Sequence, residues 1–239
     1  MLIPPAVNGT TYVMKACQAA GVRRCVITSS LASVQNLAAA DKPADRTYNE
    51  SHWSNPDRPE GLGAYPKSKI LAEKVAWDFQ AALAEDQKFE LVTICPGFIM
   101  GPPIRKESFT SGGWLKRLME GVNQSISAEH CCAVDVRDTA TAHLLAIKNP
   151  AAANRRFILC HSSPSFQEYA GAVAAKYRPL GWPITENLAE SNPDEYISLF
   201  DNSASKELGV VYTDWNKTMV DMADAMVALG SVVKPEATQ

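Results

Sequence analysis

A short apolar run, a long amphipathic segment and a second short apolar run follow one another in this chain, and this succession constrains its fold most. The first run is Arg24–Ser30 and the second is Glu90–Cys95; both have the length of buried strands, and both are followed by polar or turn-forming residues. Residues 64–84 lie between them and have apolar side chains at helical spacing, in the stripe Leu71, Val75, Phe79 and Leu83. This order predicts a βαβ unit with parallel strands and a right-handed crossover.

The remaining segments extend this pattern into an α/β protein. Residues 6–20 have helical spacing and are followed by Gly21, which favours the end of a helix. A polar stretch over residues 38–63 predicts a long loop. Beyond Gly101 we expect a loop that leads to a short helix near Trp114–Gly121. The later predictions are an extended segment (131–136), a helix (138–147), a strand (156–160) and two helices (165–177 and 218–229).

Charge and hydropathy argue against two classes of partner. The net charge of -3 does not favour binding to a nucleic acid or to an anionic membrane. No apolar run approaches the length of about 18 residues that a membrane-spanning helix needs. The first residues, Met-Leu-Ile-Pro-Pro, lack the basic region and the long apolar stretch of a signal peptide. We therefore expect a cytoplasmic protein without a nucleic-acid or membrane partner.

The cysteines do not have the spacing of a metal site. They form no Cys-x-x-Cys pair, and no histidine stands at a spacing suited to zinc. Several lie in apolar runs, where a free cysteine behaves as a small hydrophobic residue. We expect six reduced cysteines and no bound metal. The six are Cys17, Cys25, Cys95, Cys131, Cys132 and Cys160.

Tyr65 and Lys69 are the candidate pair for proton transfer. They are four residues apart at the start of the predicted helix, so that both side chains project from one face. A tyrosine in water has a pKa of about 10, and a neighbouring ammonium group favours its phenolate form. This pairing suits general acid–base catalysis near neutral pH. Alone, the same spacing is also that of an ordinary pair on the surface of a helix.

Polar or turn-forming residues follow both predicted strands. Thr28, Ser29 and Ser30 end the first strand, and Pro96-Gly97 follows the second. In an open parallel sheet, ligands bind beyond the carboxyl ends of the strands. A serine in this position is able to donate a hydrogen bond to a substrate carbonyl, although a lone serine more often only ends a strand. Glycine allows a ligand to approach the backbone closely.

Together these motifs resemble the extended short-chain dehydrogenase/reductases, and most of all their dihydroflavonol reductase, cinnamoyl-CoA reductase and ketoreductase branch. The resemblance covers essentially the whole chain. Five segments match in order and at compatible spacing, which is more specific than any single motif. They are residues 5–10, the serine strand Val26–Ser30, the helix segment Tyr65–Lys74, the segment Cys95–Pro102 and residues 134–143.

The resemblance implies reduction of a carbonyl group, or the reverse reaction, with a nicotinamide cofactor. Tyr65 would be the general acid, Lys69 would assist it and hold the ribose of the cofactor, and Ser30 would orient the substrate carbonyl. NADP(H) is the preferred cofactor, with NAD(H) as the alternative. The substrate would be a small carbonyl compound or alcohol, such as an aldehyde, a ketone or a flavonoid-like molecule. The implied cofactor contacts are Thr28, Ser29, Tyr65, Lys69, Pro96, Gly97, Phe98, Ile99 and Ser111, the last of them in the loop after Gly101.

The same resemblance implies an incomplete Rossmann-type parallel sheet in residues 1–100. Residues 101–239 would mainly form a smaller α/β substrate-binding lobe, with segments that return to the first domain. The family normally opens with a strand and a Gly-x-x-Gly-x-x-Gly turn that binds the pyrophosphate, and this sequence contains no such turn. We therefore expect a chain that corresponds to the C-terminal two-thirds of a relative, with an uncovered sheet edge and weak cofactor binding.

Two other functions remain open from the sequence. A sugar-nucleotide epimerase or dehydratase would share the Ser-Tyr-Lys set, although Arg105-Lys106 is a small basic cluster for a nucleotide diphosphate. Alternatively, the chain is a non-catalytic binding module that has kept the residues of an enzyme. The oligomeric state is open as well.

Overall fold

The structure is a computed structural model that describes residues 2–106, 110–192 and 197–235. It confirms the predicted α/β class with parallel strands. The strands are β1 (Arg24–Thr28), β2 (Thr47–Tyr48), β3 (Glu90–Pro96), β4 (Phe98–Met100), β5 (Ala133–Asp135), β6 (Arg155–Leu159) and β7 (Leu199–Phe200). The helices are α1 (Ile3–Ala19), α2 (Ala64–Ala82), α3 (Thr110–Met119), α4 (Val136–Lys148), α5 (Phe166–Tyr177), α6 (Ser203–Leu208) and α7 (Trp215–Ala228).

The chain divides into two compact units, and the first is built on a parallel sheet. This unit comprises Met1–Gly97, Ala140–Leu159 and Ser198–Val211. Its main sheet has three strands in the order β1-β3-β6, all parallel. The central strand, β3, is buried along its length except at its first residue, as the apolar run predicted. Helices α1 and α2 pack against each other, and the apolar cluster beside them includes Met14, Cys25, Ala76, Phe89 and Leu91.

The second unit has a smaller sheet and a larger share of helix. It comprises Phe98–Thr139, Cys160–Ile197 and Tyr212–Gln239. Strands β4 and β5 pair in parallel, and α3, α5 and α7 contribute the apolar side chains of its core. The fully buried members of this core include Leu115, Leu118, Tyr169, Met219 and Met222.

A long loop was predicted over residues 38–63, and this prediction is wrong for part of the stretch, which contains a strand. Strand β2 lies within it and pairs in parallel with β7, so that Tyr48 stands opposite Phe200. The two rings stack with their centroids 5.7 Å apart, and Tyr48 is fully buried. The partner strand is about 150 residues away along the chain, and local sequence patterns carry no information on such a pairing.

The described part of helix α3 includes Thr110, four residues before the predicted start near Trp114. Gly112 and Gly113 led to the prediction of a loop, because glycine disfavours a helix by about 1 kcal/mol per residue relative to alanine. Tertiary packing overrides this preference, since Ser111, Gly112 and Leu115 are all buried in the unit. Ser111 therefore lies on a helix and not in the preceding loop.

The expectation of six reduced cysteines is wrong for one pair. Cys132 and Cys160 form a disulfide within the second unit, with Cα atoms 5.8 Å apart. They meet because Ala133, next to Cys132, bridges to Ser162, two residues after Cys160. The two cysteines are 28 positions apart, and their spacing in the sequence did not reveal the disulfide. The other four cysteines are free thiols.

Within the described ranges, no helix combines the length and the apolar character that a membrane span requires.

Candidate active site

Helix α2 presents Tyr65 in its first turn. Gly63 precedes the helix in an extended conformation, and the amide of Lys67 donates the first helical hydrogen bond to its carbonyl at 3.2 Å. Pro66 is tolerated between them because amides in the first turn of a helix have no carbonyl partner. The side chain of Tyr65 is 56% exposed, so its hydroxyl is accessible to a ligand.

Lys69 lies one helical turn beyond Tyr65 and is half-buried. Its Nζ donates a hydrogen bond of 3.1 Å to the carbonyl oxygen of Thr28, the last residue of β1. Burial lowers the pKa of the Lys69 ammonium, and the negative charge of Glu73 acts in the opposite direction. The bond to Thr28 fixes the ammonium at the carboxyl end of the strand.

Thr28 has a second contact that sequence reasoning did not select. Its Oγ1 lies 2.7 Å from Nε2 of His143, which belongs to the part of α4 in the first unit. His143 was within the segment 134–143 that resembled the family, and this was the only signal for it. The hydroxyl of Thr28 is therefore engaged with a ring nitrogen, while its carbonyl receives Lys69.

Ser30 follows β1 in an extended conformation and begins the 3-10 turn Leu31–Ser33. Its Oγ accepts a hydrogen bond of 3.1 Å from the amide of Ala32. This bond uses a lone pair of the hydroxyl, which keeps its own proton for donation to another acceptor. The local geometry is thus compatible with the predicted role of orienting a carbonyl oxygen.

The side chain of Ser29 points into the interior and not towards a ligand. Its hydroxyl is buried and donates a hydrogen bond of 2.5 Å to Oε2 of Glu73. Because this hydroxyl is engaged, the predicted cofactor contact of Ser29 would have to use its backbone.

The other predicted cofactor contacts are divided between the two units. Pro96 ends β3, and the amide of Gly97 donates to the carbonyl of Leu159 at 2.9 Å in the first unit. In the second unit the amide of Phe98 donates to Cys132 at 2.7 Å, and Ile99 pairs with Val134. Ser111 is buried near the start of α3. The cofactor roles of Pro96, Gly97, Phe98, Ile99 and Ser111 stay predictions.

Ser30 and the ammonium of Lys69 thus lie at the carboxyl end of a parallel strand, with Tyr65 one helical turn from Lys69. The α/β proteins that bind dinucleotides hold their ligands at this edge of the sheet. The chain belongs, within this class, to the 3-beta hydroxysteroid dehydrogenase/isomerase family, whose sequence profile matches residues 4–165. The resemblance to the extended short-chain dehydrogenase/reductases is thereby confirmed.

Several relatives share the sequence of this chain, and those with solved structures share its fold as well. Cinnamoyl-CoA reductase 1 of Arabidopsis thaliana is 29% identical over 230 residues, which cover 96% of this chain and 64% of that protein. Gre2 of Candida albicans, solved in complex with NADPH, is 30% identical with a TM-score of 0.79. The match covers 95% of this chain and 71% of Gre2. The yeast methylglyoxal/isovaleraldehyde reductase Gre2, also with NADPH, has the same TM-score at 26% identity, over 96% and 71% of the two chains.

Proposed function

We propose that this chain carries the catalytic residues of an NAD(P)H-dependent oxidoreductase that acts on a carbonyl or CH–OH group of a small molecule. One observation carries the proposal. Lys69 is one helical turn from the exposed Tyr65, and its ammonium is held on the carbonyl of Thr28 at the end of β1. A free surface pair on a helix would have no reason to be anchored to the carboxyl end of a parallel strand.

The side chains around Lys69 fit the nicotinamide end of such a cofactor. A lysine ammonium has three donors, and Lys69 gives one of them to Thr28, so that two remain for ribose hydroxyl groups. The fit does not extend to the pyrophosphate, because the sequence has no Gly-x-x-Gly-x-x-Gly turn. We therefore propose weak binding by this chain. The NADPH in the C. albicans and yeast relatives supports a preference for NADP(H) over NAD(H).

In the proposed reaction the hydroxyl of Tyr65 is the proton donor. The bound cofactor would supply the hydride. The hydroxyl of Tyr65 would donate its proton to the carbonyl oxygen of the substrate, and the ammonium of Lys69 would stabilise the phenolate that remains. The hydroxyl of Ser30, which keeps its proton free for donation, would hold the same carbonyl oxygen in place. The second unit would form most of the substrate-binding lobe.

Cofactor titration together with a Tyr65→Phe variant tests this function. We expect calorimetry on the purified chain to detect binding of NADPH, and weaker binding of NADH. We expect Tyr65→Phe to reduce turnover of a small aldehyde by about 10²- to 10⁴-fold, because it removes the proton donor. Tyr12→Phe is the matched control, since Tyr12 is an exposed tyrosine on α1, and it should leave turnover unchanged. A folded chain that binds neither cofactor would instead support the non-catalytic binding module.

A further inference from the structure

Glu73 lies on the face of α2 that carries Tyr65, two turns further along the helix, and it is buried to 1% exposure. Its carboxylate accepts hydrogen bonds from two strands of the main sheet and from the residue that follows the third. Ser29, which follows β1, donates at 2.5 Å, and Thr93 of β3 donates at 2.8 Å. Nε of Arg156 on β6 donates at 2.8 Å. One side chain of the helix is thus bonded to strands β3 and β6 and to the residue that follows β1.

Arg156 is buried as well, and it distributes its donors over several segments. Apart from its bonds to the carboxylate, Nη1 donates to the carbonyls of Glu50 at 2.8 Å and His52 at 2.6 Å. Nη2 donates to the carbonyl of Ser33 at 3.2 Å. The guanidinium also stacks over the ring of Trp53, 3.7 Å from its centroid. The hydrogen-bonding capacity of the arginine is fully used.

These bonds reach the chain on both sides of Ser30. On one side the hydroxyl of Ser29 is bonded to Glu73, and on the other side the carbonyl of Ser33 is bonded to Arg156. The hydroxyls of Ser29 and Ser33 lie 3.1 Å apart and close the arrangement. Ser30 therefore occupies a short turn whose two ends are both attached to one ion pair.

The energetics of buried charge favour a role in positioning. Burial by itself would raise the pKa of Glu73, but Arg156 and the hydrogen bonds from Ser29 and Thr93 outweigh this effect and hold the pKa below its usual range. The carboxylate is therefore ionised. A buried ion pair is often no more stabilising than well-packed apolar side chains, because both charges lose their hydration. What a fully satisfied polar network does supply is one specific geometry.

We propose that the Glu73–Arg156 pair is a positioning device that fixes the turn containing Ser30 relative to Tyr65 and Lys69. This proposal rests on the proposed function for the catalytic meaning of Ser30. Its structural content, the immobilisation of residues 29–33, stands independently. Glu73 and Arg156 act through Ser29 and Ser33, and they are not assigned a contact with substrate or cofactor.

Two variants that each remove one hydrogen bond to the same carboxylate test the proposal. Ser29→Ala removes the bond next to Ser30, and Thr93→Val removes a comparable bond on β3. Exchange of the amides of Ala32 and Ser33, which bond to Ser30, is measured by NMR in both variants. We expect exchange about tenfold faster in Ser29→Ala and a change of less than about twofold in Thr93→Val.

Steady-state kinetics give a second measurement on the same pair. We expect Ser29→Ala to lower kcat by about tenfold or more with KM nearly unchanged, because misplacement of a catalytic group affects mainly the chemical step. Thr93→Val should leave both constants close to those of the parent. Equal effects of the two variants would assign the pair a purely structural role and overturn the proposal, as would unchanged exchange in Ser29→Ala. If the parent has no turnover, the proposed function fails, and the exchange measurement still decides on the positioning.

Discussion

The two compact units differ in how deeply the cation of their main ion pair is buried. In the first unit a buried ion pair and its hydrogen bonds join α2 to β3, to β6 and to Ser29, which follows β1. In the second unit the strands rest on an apolar core and on the disulfide Cys132–Cys160, and the ion pair of Asp135 has a partner, Arg137, whose side chain is 42% exposed.

This difference corresponds to what each unit is proposed to do. Apolar packing is not directional and tolerates small shifts, whereas hydrogen bonds to a buried carboxylate fix both distance and direction. The candidate catalytic groups Ser30, Tyr65 and Lys69 all lie in the first unit, where such bonds hold the strand ends. The two units should therefore respond differently to changes in charge and to reduction.

The largest effect should come from Glu73→Gln. The substitution leaves the buried charge of Arg156 without compensation, and we expect a loss of about 3–5 kcal/mol in the free energy of unfolding. Denaturant unfolding measures it. Glu85→Gln is the control, because Glu85 forms an exposed pair with Lys88, and it should change stability by less than about 0.5 kcal/mol. If the two variants lost similar amounts of unfolding free energy, the buried pair of the first unit would contribute no more to stability than an exposed pair, and the contrast between the units would not hold.

A smaller effect is expected from Cys132→Ser, and it should be confined to the second unit. The disulfide closes a segment of 28 residues, so its loss should destabilise by about 2–4 kcal/mol. Cys131→Ser is the matched control, since the neighbouring thiol is free and half-buried. Thiol titration of the unfolded, non-reduced protein should count four thiols. A count of six would contradict the disulfide.

Acid should weaken the contribution of Glu73 to stability. Its pKa is held below the usual value in the folded state, so the stabilisation is present above the unfolded pKa and is lost as the pH falls through the folded one. We expect the stability of Glu73→Gln to depend less on pH below about pH 4.5, by up to about 1.4 kcal/mol per pH unit. Unfolding curves between pH 5 and pH 3 measure this, and parallel slopes in parent and variant would refute it.

The smallest effects are expected from removing one equivalent hydrogen bond in each unit. Thr93 in the first unit and Thr218 in the second each donate to a buried carboxylate, at 2.8 Å and 2.7 Å. Thr93→Val and Thr218→Val should each cost about 1 kcal/mol in the free energy of unfolding, because each removes one buried hydrogen bond. A much larger loss for one of them would identify the unit in which hydrogen bonds are more strongly coupled.

The elements that the sequence predicted correctly depend on short-range patterns. Helix α2, strand β3 and the shared face of Tyr65 and Lys69 all follow from periodicity within about 20 residues, because helices and buried strands are locally encoded. The errors arise where distant segments meet. They are the pairing of β2 with β7, the two glycines in the first turn of α3 and the disulfide.

The same distinction between short-range patterns and long-range contacts applies to the candidate site. The sequence indicated Ser30, Tyr65 and Lys69 as candidates, because motif spacing and the ends of strands are visible in the linear order of residues, and their catalytic roles stay predictions. It did not reveal that Ser29 turns inward, or that Glu73 and Arg156, 83 residues apart, form one buried pair. The partners that stabilise the buried charge of Glu73 come from other strands and from distant parts of the chain, so only the tertiary structure shows that this residue is buried and paired.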